Sequence, residues 1–499
     1  MNQTETDAGF MSQALQLAEK GCYSTHPNPR AGCVFVRDGQ VIAQGWHVKA
    51  GAPHAEINAI QSAQSSLTGS SCYVTLEPCN HTGKTPPCTT ALLASGVARV
   101  VVATPDPNPL VSGRGIAELQ QAGVIVETGL LAEQARQLNR GFFSRMQRHR
   151  PFVTCKLAIS LDGKVALGSG ESKWISTATA RQDVQQLRAR SSAVLTGINT
   201  VLADDPRLNV RDVDTGQRQP LRVVLDRRFR LPVTARLLGL PGQTLVIGQG
   251  GQQEATALQG AGAVVEQLEG DDTTLLRNSM TLLAEKYQIN DLLVEAGPTL
   301  AGALLKCDLI DELVIYQNPS LLGNDAIDMI NIPVLNAMDD RMKLELLQES
   351  LCGVDRRLVF KVKKSSPQAR ARARRNAVQA LYQWLLTGAA VTAIIAEFED
   401  RAELNKADKE YFYALLSGCE KNAADLEQQI TPCLDRQLER LDPVERAILL
   451  VGAYELAHRP GLPVNVVINE AIELAKVFGA EGSYKYINGV MDKLAGALR

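Results

Sequence analysis

The chain has 499 residues, 45% of them apolar and 21% charged, enough for about three domains with a core in each. Fifty-two basic residues oppose 54 acidic ones for a net charge of −2, which excludes a disordered chain and one that coats nucleic acid along its length. Ten cysteines are too few for a disulfide scaffold. With no secretory signal and no apolar run near the ~18 residues of a spanning helix, the chain reads as soluble and cytoplasmic, with no membrane partner.

From Ala8 to about Arg150, helix-period and strand-like runs alternate. A helix is expected near Met11 to Lys20, strands at Cys33 to Arg37 and Val41 to Trp46, a helix from His54 and a strand at Cys72 to Leu76. There follow a helix to about Ser95, a strand at Arg99 to Ala103, a helix near Ala117 to Gln121 and a strand at Val124 to Glu127. Such alternation is the pattern of α/β layers. His149, Arg150 and Pro151 interrupt it, and a second α/β block opens, with strands at Phe152 to Leu157, Arg222 to Leu225, Thr244 to Ile247, Asp291 to Glu295 and Leu358 to Val362. Beyond Lys363-Lys-Ser-Ser-Pro367 the periodicity is wholly helical. Arg356 to Ala396 holds no acidic residue and nine basic ones. Three domains are therefore expected, at 1–150, 151–363 and 368–499.

His54-Ala-Glu56, Glu77-Pro-Cys79 and Pro87-Cys88 form the constellation richest in chemistry. One imidazole and two thiolates are three protein ligands, the number catalytic zinc takes while keeping a fourth position for water, and zinc acidifies that water toward neutral pH. Glu56, two residues from His54, is close enough to shuttle protons to a departing amine, in the His-x-Glu and Pro-Cys arrangement of zinc nucleobase deaminases. The bland alternative is a helix-capping histidine beside two ordinary buried thiols. Eight residues separate Cys79 from Cys88, in place of the usual Cys-x-x-Cys.

That insert, Asn80-His-Thr-Gly-Lys-Thr-Pro-Pro87, resembles the deaminase half of the RibD family of bifunctional riboflavin biosynthesis proteins. So do His26-Pro-Asn-Pro-Arg-Ala-Gly-Cys33, Gly51-Ala-Pro-His-Ala-Glu56, Thr75-Leu-Glu-Pro-Cys79 and Asp106-Pro-Asn-Pro109. The resemblance implies a cytidine-deaminase-like α/β/α domain that hydrolytically deaminates 2,5-diamino-6-ribosylamino-4(3H)-pyrimidinone 5′-phosphate. It makes His54, Cys79 and Cys88 the Zn2+ ligands and Glu56 the catalytic proton shuttle. Asn28, His47, His81 and Lys84 become contacts for the pyrimidine or its phosphate, with loop scaffolding as their alternative role.

The second block carries Lys156-Leu-Ala-Ile-Ser-Leu-Asp-Gly163, Gly170-Glu-Ser-Lys-Trp174, Gly197-Ile-Asn-Thr-Val-Leu-Ala-Asp-Asp-Pro206 and Val294-Glu-Ala-Gly-Pro-Thr-Leu-Ala-Gly302. In the last run a strand ends at Glu295, a Gly-rich turn follows, and a helix starts near Thr299 with free N–H groups and a positive dipole end that favour a phosphate. A bare strand-to-helix turn would use the same residues. Neither this run nor Gly248-Gln-Gly-Gly251, read as a surface loop, is the Gly-x-Gly-x-x-Gly fingerprint. Together the four runs resemble the reductase half of the same family, over about Phe152 to Val362. That implies a dihydrofolate-reductase-like α/β domain which reduces 5-amino-6-(5-phosphoribosylamino)uracil to the ribitylamino product with NADPH, and which forms a homo-oligomer. By position, NADPH would meet Ala158, Trp174, Thr200, Asp204 and the turn of Gly297, Pro298, Thr299, Leu300, Ala301, Gly302 and Ala303. The sugar phosphate would meet Ser172, Arg188, Leu208, Arg211 and Glu295. Arg188 and Arg211 offer the planar paired donors a phosphate takes, unless they are solvated surface residues. Arg227, just past the strand ending at Asp226, is placed to meet the 2′-phosphate of NADPH. Hydride chemistry belongs to the cofactor, and no general acid is picked out.

Ala369 to Arg375 reads Ala-Arg-Ala-Arg-Ala-Arg-Arg and leads into a helix with Val378, Leu381, Tyr382 and Leu385 on one face. A dense arginine cluster suits RNA phosphates; a solvated linker is the alternative. Pro443-Val-Glu-Arg-Ala-Ile-Leu, Ala453-Tyr-Glu-Leu456, the run from Val467 to Ala480 and the run from Lys485 to Lys493 read bottom-up as a helical bundle. Their wording resembles the NusB family of transcription antitermination factors, over nearly all of Gln368 to Arg499. The resemblance implies an all-α bundle that binds boxA-type RNA together with ribosomal protein S10. It puts Arg370, Arg372, Arg374 and Arg375 on the phosphates, with Tyr486 and Asn488 as lesser candidates. Two other readings compete: a zinc deaminase that acts on a base flipped out of RNA delivered by the basic domain, and a vestigial enzyme beside a working RNA-binding domain.

Overall fold

The structure is a computed structural model describing residues 3–81, 87–109, 111–332, 341–362, 367–399, 401, 403–404, 407–459 and 462–498. They fall into two compact units that part between Val362 and Pro367.

The first unit opens with α1 (Gln3–Glu19), β1 (Gly32–Arg37), β2 (Gln40–Trp46), α2 (Ala55–Ser62), β3 (Ser71–Val74), α3 (Cys88–Ala94), β4 (Arg99–Val102), α4 (Arg114–Gln121) and β5 (Ile125–Thr128). Its sheet runs β2-β1-β3-β4-β5, with β1 antiparallel to both neighbours and β3, β4 and β5 parallel. Period-two alternation along β1 builds the layers. Cys33 and Phe35 join Ala55 and Ala59 of α2, Leu92 of α3 and Leu119 of α4 on one face. Val34 and Val36 join Met11, Ala14 and Leu17 of α1 on the other. The result is the α/β/α sandwich expected. A Cβ on Gly45 would lie 2.4 Å from the backbone nitrogen of Ala59, so only glycine lets α2 rest this close on β2.

Two helices that the sequence reading did not anticipate follow, α5 (Ala132–Leu138) and α6 (Arg140–Arg148). Helix α6 is half polar, and it docks by charge. Arg140 forks onto Glu312 at 2.6 and 3.0 Å, and Arg148 and, just beyond the helix, Arg150 reach Asp311 at 2.9 and 2.7 Å.

The remainder of this unit is built from β6 (Phe152–Ser160), β7 (Lys164–Ala166), α7 (Ala178–Arg190), β8 (Ala193–Gly197), α8 (Ile198–Asp204), β9 (Leu221–Leu225), β10 (Thr244–Gly248), α9 (Gln252–Gly260), β11 (Val264–Gln267) and α10 (Asp272–Glu285). It ends with β12 (Asp291–Val294), α11 (Pro298–Lys306), β13 (Glu312–Asn318), β14 (Ile327–Asp328), β15 (Leu344–Cys352) and β16 (Asp355–Val362). Nine strands form one sheet in the order β11-β10-β9-β8-β12-β6-β13-β16-β15, parallel through β13 and antiparallel beyond. The central strands are short apolar runs buried from both sides, as parallel strands covered by helices are.

In the second unit every regular element among the described residues is helical: α12 (Pro367–Thr387), α13 (Val391–Glu399), α14 (Lys409–Lys421), α15 (Ala423–Ile430), α16 (Pro443–His458), α17 (Val464–Phe478) and α18 (Ser483–Leu498), with two short 3₁₀ turns. Helix α16 is apolar around most of its girth, from Ala447 to Leu456, and lies at the centre of the core. On α12 the buried stripe is Ala373, Ala377, Val378, Ala380 and Leu381. Tyr382, expected on that face, is exposed. No described helix is long and apolar enough to cross a membrane.

Candidate active sites and the basic helix

Helix α2 begins at Ala55, which places His54 at its N-cap position and Glu56 in its first turn. The imidazole makes no capping hydrogen bond, so the bland role for His54 is not the one it plays. Cys88 starts α3, and Cys79 sits in the loop after β3. The Nδ1 of His54 lies 3.5 Å from Cys79 Sγ and 3.4 Å from Cys88 Sγ, and all three donor atoms fall within 4.8 Å of one another. Bond lengths of about 2.0 Å to nitrogen and 2.3 Å to sulfur give a tetrahedral edge of about 3.5 Å, so the donor set fits zinc. The Cys79 thiol is pulled well below the ordinary thiol range by its hydrogen bond with Cys88 and by His54, which favours the thiolate a metal needs. Glu56 is buried, 4% exposed, and that burial raises its carboxyl pKa.

His54, Glu56 and Cys79 line a cavity of about 510 Å³, shared with Asn28, His47 and His81. His47 Nδ1 faces the Pro53 carbonyl at 3.1 Å and its Nε2 faces Asn28 Nδ2 at 3.1 Å. That pattern fits a ring that donates from Nδ1 and accepts from the amide. Lys84 lies outside the described residues. Sequence reasoning assigned no role to Glu77, Asp106 or Arg145, all of which line the cavity. Glu77 accepts from the backbone N–H groups of Asp106, Gly113, Gly115 and Ile116 at 3.0 to 3.3 Å, so one carboxylate ties the Pro78-Cys79 turn to the start of α4. A Cβ on Gly115 would lie 2.0 Å from the Pro78 carbonyl, which marks how close that approach is. Burial pushes the Asp106 carboxyl up to about 7. Glu77 and Asp106 stand inside the Glu-Pro-Cys and Asp-Pro-Asn-Pro motifs, but nothing local in either motif marks the role each takes on folding.

In the nine-stranded half, Arg188 and Glu295 form a buried two-pronged ion pair at 2.6 and 2.9 Å. Burial works against the Glu295 carboxylate, but Arg188 and Lys156 outweigh it and hold its pKa down. Arg188 also donates to the Asn209 carbonyl at 3.1 Å, and Arg211 to the Asn209 side chain at 2.7 Å, so three of the five expected sugar-phosphate residues form one cluster. Neither arginine is a solvated surface residue. The side chain of Leu208 packs with Val194 and Leu293. Gly297 caps α11 without any side-chain hydrogen bond, and the Thr200 hydroxyl lies 3.9 Å from where a Gly297 Cβ would stand. An uncapped helix start at the carboxyl end of a parallel strand fits a dinucleotide phosphate. Ala301 and Gly302 are buried in the helix body, and the Ala301 N–H is bonded to Gly297, so the open mouth is formed by Gly297 to Leu300. Lys173 reaches Asp204 at 3.6 Å, which ties the Ser172 to Trp174 loop to α8. Trp174 is 70% exposed with Arg181 over its ring. Ala158 lies within β6 and Ala303 within α11, and Arg227 is half exposed and paired with Asp272.

On α12 the arginines part company. Arg372 and Arg375 are exposed, and Arg370 lies over the Tyr411 ring at 5.6 Å. Arg374 is buried, bonded to Glu455 at 2.8 Å and to Glu470 at 3.3 Å. That corrects its expected role, since its charge is consumed inside the bundle and no phosphate can reach it. Tyr486 is partly buried beneath Arg436.

Fold and sites define a zinc-dependent deaminase joined to an NADPH-dependent reductase, with a helical domain following. Residues 4–104 match the cytidine and deoxycytidylate deaminase zinc-binding region, residues 151–355 the RibD C-terminal domain, and residues 371–496 the NusB family. Riboflavin biosynthesis protein RibD of Escherichia coli (strain K12) is 44% identical over 361 residues, which cover 70% of this chain and 97% of that protein. Its counterpart in Haemophilus influenzae is 43% identical over 71% of this chain and 97% of that one. Acinetobacter baumannii RibD superposes with a TM-score of 0.68 at 44% identity, covering 72% of this chain and 100% of that one. A Thermotoga maritima structure described as a diaminohydroxyphosphoribosylaminopyrimidine deaminase/5-amino-6-(5-phosphoribosylamino)uracil reductase gives 0.65 at 33% identity over 72% and 100%. The chain belongs to the RibD family of bifunctional riboflavin biosynthesis enzymes, and it carries a NusB-family domain in addition.

Proposed function

We propose that the chain deaminates 2,5-diamino-6-ribosylamino-4(3H)-pyrimidinone 5′-phosphate and then reduces 5-amino-6-(5-phosphoribosylamino)uracil to its ribitylamino product. The observation that carries this reading is the convergence of His54, Cys79 and Cys88 beside a cavity lined by His54, Cys79 and the buried Glu56. Those three side chains would hold zinc, which would supply a water acidic enough to react near neutral pH. Glu56 would take a proton from the attacking water as its oxygen bonds to the ring carbon, and would hand that proton to the amino nitrogen, which leaves as ammonia when the carbon–nitrogen bond breaks. Asn28 and His47 orient the pyrimidine edge. In the other half Ala158, Trp174, Thr200, Asp204 and the Gly297 to Leu300 mouth would hold NADPH, which would supply the hydride, with Arg227 at its 2′-phosphate. Ser172, Leu208, Arg211 and the Arg188–Glu295 pair hold the ribotide.

The domain at 368–499 is proposed to bind boxA-type RNA with ribosomal protein S10, through Arg370, Arg372 and Arg375. Its support is the NusB family match and the exposure of Arg372 and Arg375. The functional segments 1–150 and 151–363 belong to the same proposal. Ten free thiols suit a reducing cytoplasm. Exposed Leu344, Leu346, Leu347 and Leu351 on β15, at the sheet edge, support a homo-oligomer through the reductase half.

The test is to give zinc-loaded protein the diaminopyrimidinone ribotide with and without NADPH. Ammonia release in both, and NADPH loss only after deamination, is the expected result. Folded, zinc-bound protein that releases no ammonia would overturn the reading.

A further inference from the structure

Among the described residues lining the cavity at His54, Arg145 is the only arginine or lysine. It comes from α6, outside the five-stranded sheet, and is partly buried. Its Nε donates to the Asn290 side-chain oxygen at 2.7 Å and its Nη2 to the Pro27 carbonyl at 3.1 Å. Both acceptors are neutral. Arg140, Arg150 and Arg188 in this unit face Glu312, Asp311 and Glu295, whereas Arg218 and Arg222 are held by backbone carbonyls and a hydroxyl; Arg145 differs from these last two in lining the cavity at His54. Among the described residues no carboxylate pairs with Arg145, and burial lowers its pKa. A desolvated cation without a counter-charge is costly unless something anionic joins it. Its two bonds fix the plane of the fork and leave Nη1 for a further acceptor.

We infer that Arg145 binds the phosphate of the ribotide while its pyrimidine is deaminated, an assignment resting on the substrate class proposed above. A cavity of about 510 Å³ is of the size that takes a nucleotide-like ligand. Pro27, whose carbonyl holds the guanidinium, adjoins Asn28, which bonds to His47. One loop therefore sets both the pyrimidine contacts and the phosphate contact. A planar fork suits a phosphate monoester better than an ammonium would.

The full chain, zinc-loaded, is compared with Arg145→Ala and Arg145→Lys on the ribotide and on its dephosphorylated riboside. Loss of a hydrogen bond to a charged group corresponds to a fall of about 10- to 100-fold in kcat/KM for the ribotide with alanine, mostly in KM. Lysine recovers part of it. Turnover of the riboside, zinc content and reductase turnover on the deaminated ribotide stay at wild-type levels. Equal losses on ribotide and riboside would make Arg145 a wall support only, and no loss on either would remove it from the site. Both results overturn the assignment while leaving the deaminase reading intact. A wild-type chain that releases no ammonia from the ribotide overturns both. If alanine disturbs zinc content or reductase turnover, Arg145→Gln, which retains a donor for Pro27, gives the same comparison.

Discussion

Burial fixes the Glu56 carboxyl in place and raises its pKa above the ordinary carboxylate range, and both favour its use as a proton shuttle. Glu56→Gln keeps the volume and every metal donor but cannot take a proton. Deamination is expected to fall by about 10²- to 10⁴-fold, with zinc content and reductase turnover unchanged. Deamination at the wild-type rate in that variant would assign the proton transfer to another group. The three metal donors and Glu56 were legible because their chemistry depends on residue type and short spacing. Glu77 was not. Its work is to collect N–H groups 29 to 39 positions along the chain, and nothing local announces an acceptor whose donors arrive only on folding. Arg145 escaped for a related reason, since nothing local shows that α6 packs against the deaminase cavity, which the Arg145 side chain lines only in the folded chain.

At the scale of elements, helix α12 shows how a linear run misleads. Four arginines within six positions read as one patch, but 3.6 residues per turn spreads them around the cylinder. Arg374 lands beside Ala373 and Ala377 on the buried stripe, while Arg372 and Arg375 face out. The two classes should separate by experiment. Arg374→Ala leaves Glu455 buried without its cation and is expected to cost about 3–5 kcal/mol, seen as a lower Tm for the helical unit. Arg372→Ala combined with Arg375→Ala should leave Tm alone and weaken RNA binding, reducing the salt slope by about two. The opposite outcome, with Arg374 governing RNA affinity at unchanged Tm, would mean that the helix turns the other way. The interior strands were legible in part. β6, β9, β10 and β12 stand out as apolar runs, whereas Leu344–Cys352 alternates poorly and becomes a strand because β16 pairs with it.

For the whole molecule, the junction between the deaminase and reductase halves is polar and pH-sensitive. His26 Nδ1 lies 3.0 Å from the Ser192 hydroxyl. Burial, with Arg218, Arg145 and Arg30 nearby, lowers its pKa from 6.5 to about 3. The folded protein therefore keeps His26 neutral where the unfolded chain would protonate it. Stability from this group is complete above about pH 6.5 and is lost as pH falls toward 3, by at most about 1.4 kcal/mol per pH unit. Thermal unfolding followed from pH 7.5 to 5 should show this fall, and His26→Asn should flatten it. Parallel profiles for the two proteins would show that other groups govern the acid sensitivity.

Helix α6 has a consequence for how these activities can be separated. The motifs divide near residue 150, yet Arg140, Arg148 and Arg150 are anchored on Glu312 and Asp311, and Gln288 reaches the wall of the deaminase cavity. A gene cut after Arg150 would produce two polypeptides with matching charge on their torn faces, the first of them missing the Gln288 part of its cavity wall. Mixing the two pieces, rather than purifying the first alone, is then the expected route by which a split version would regain deamination.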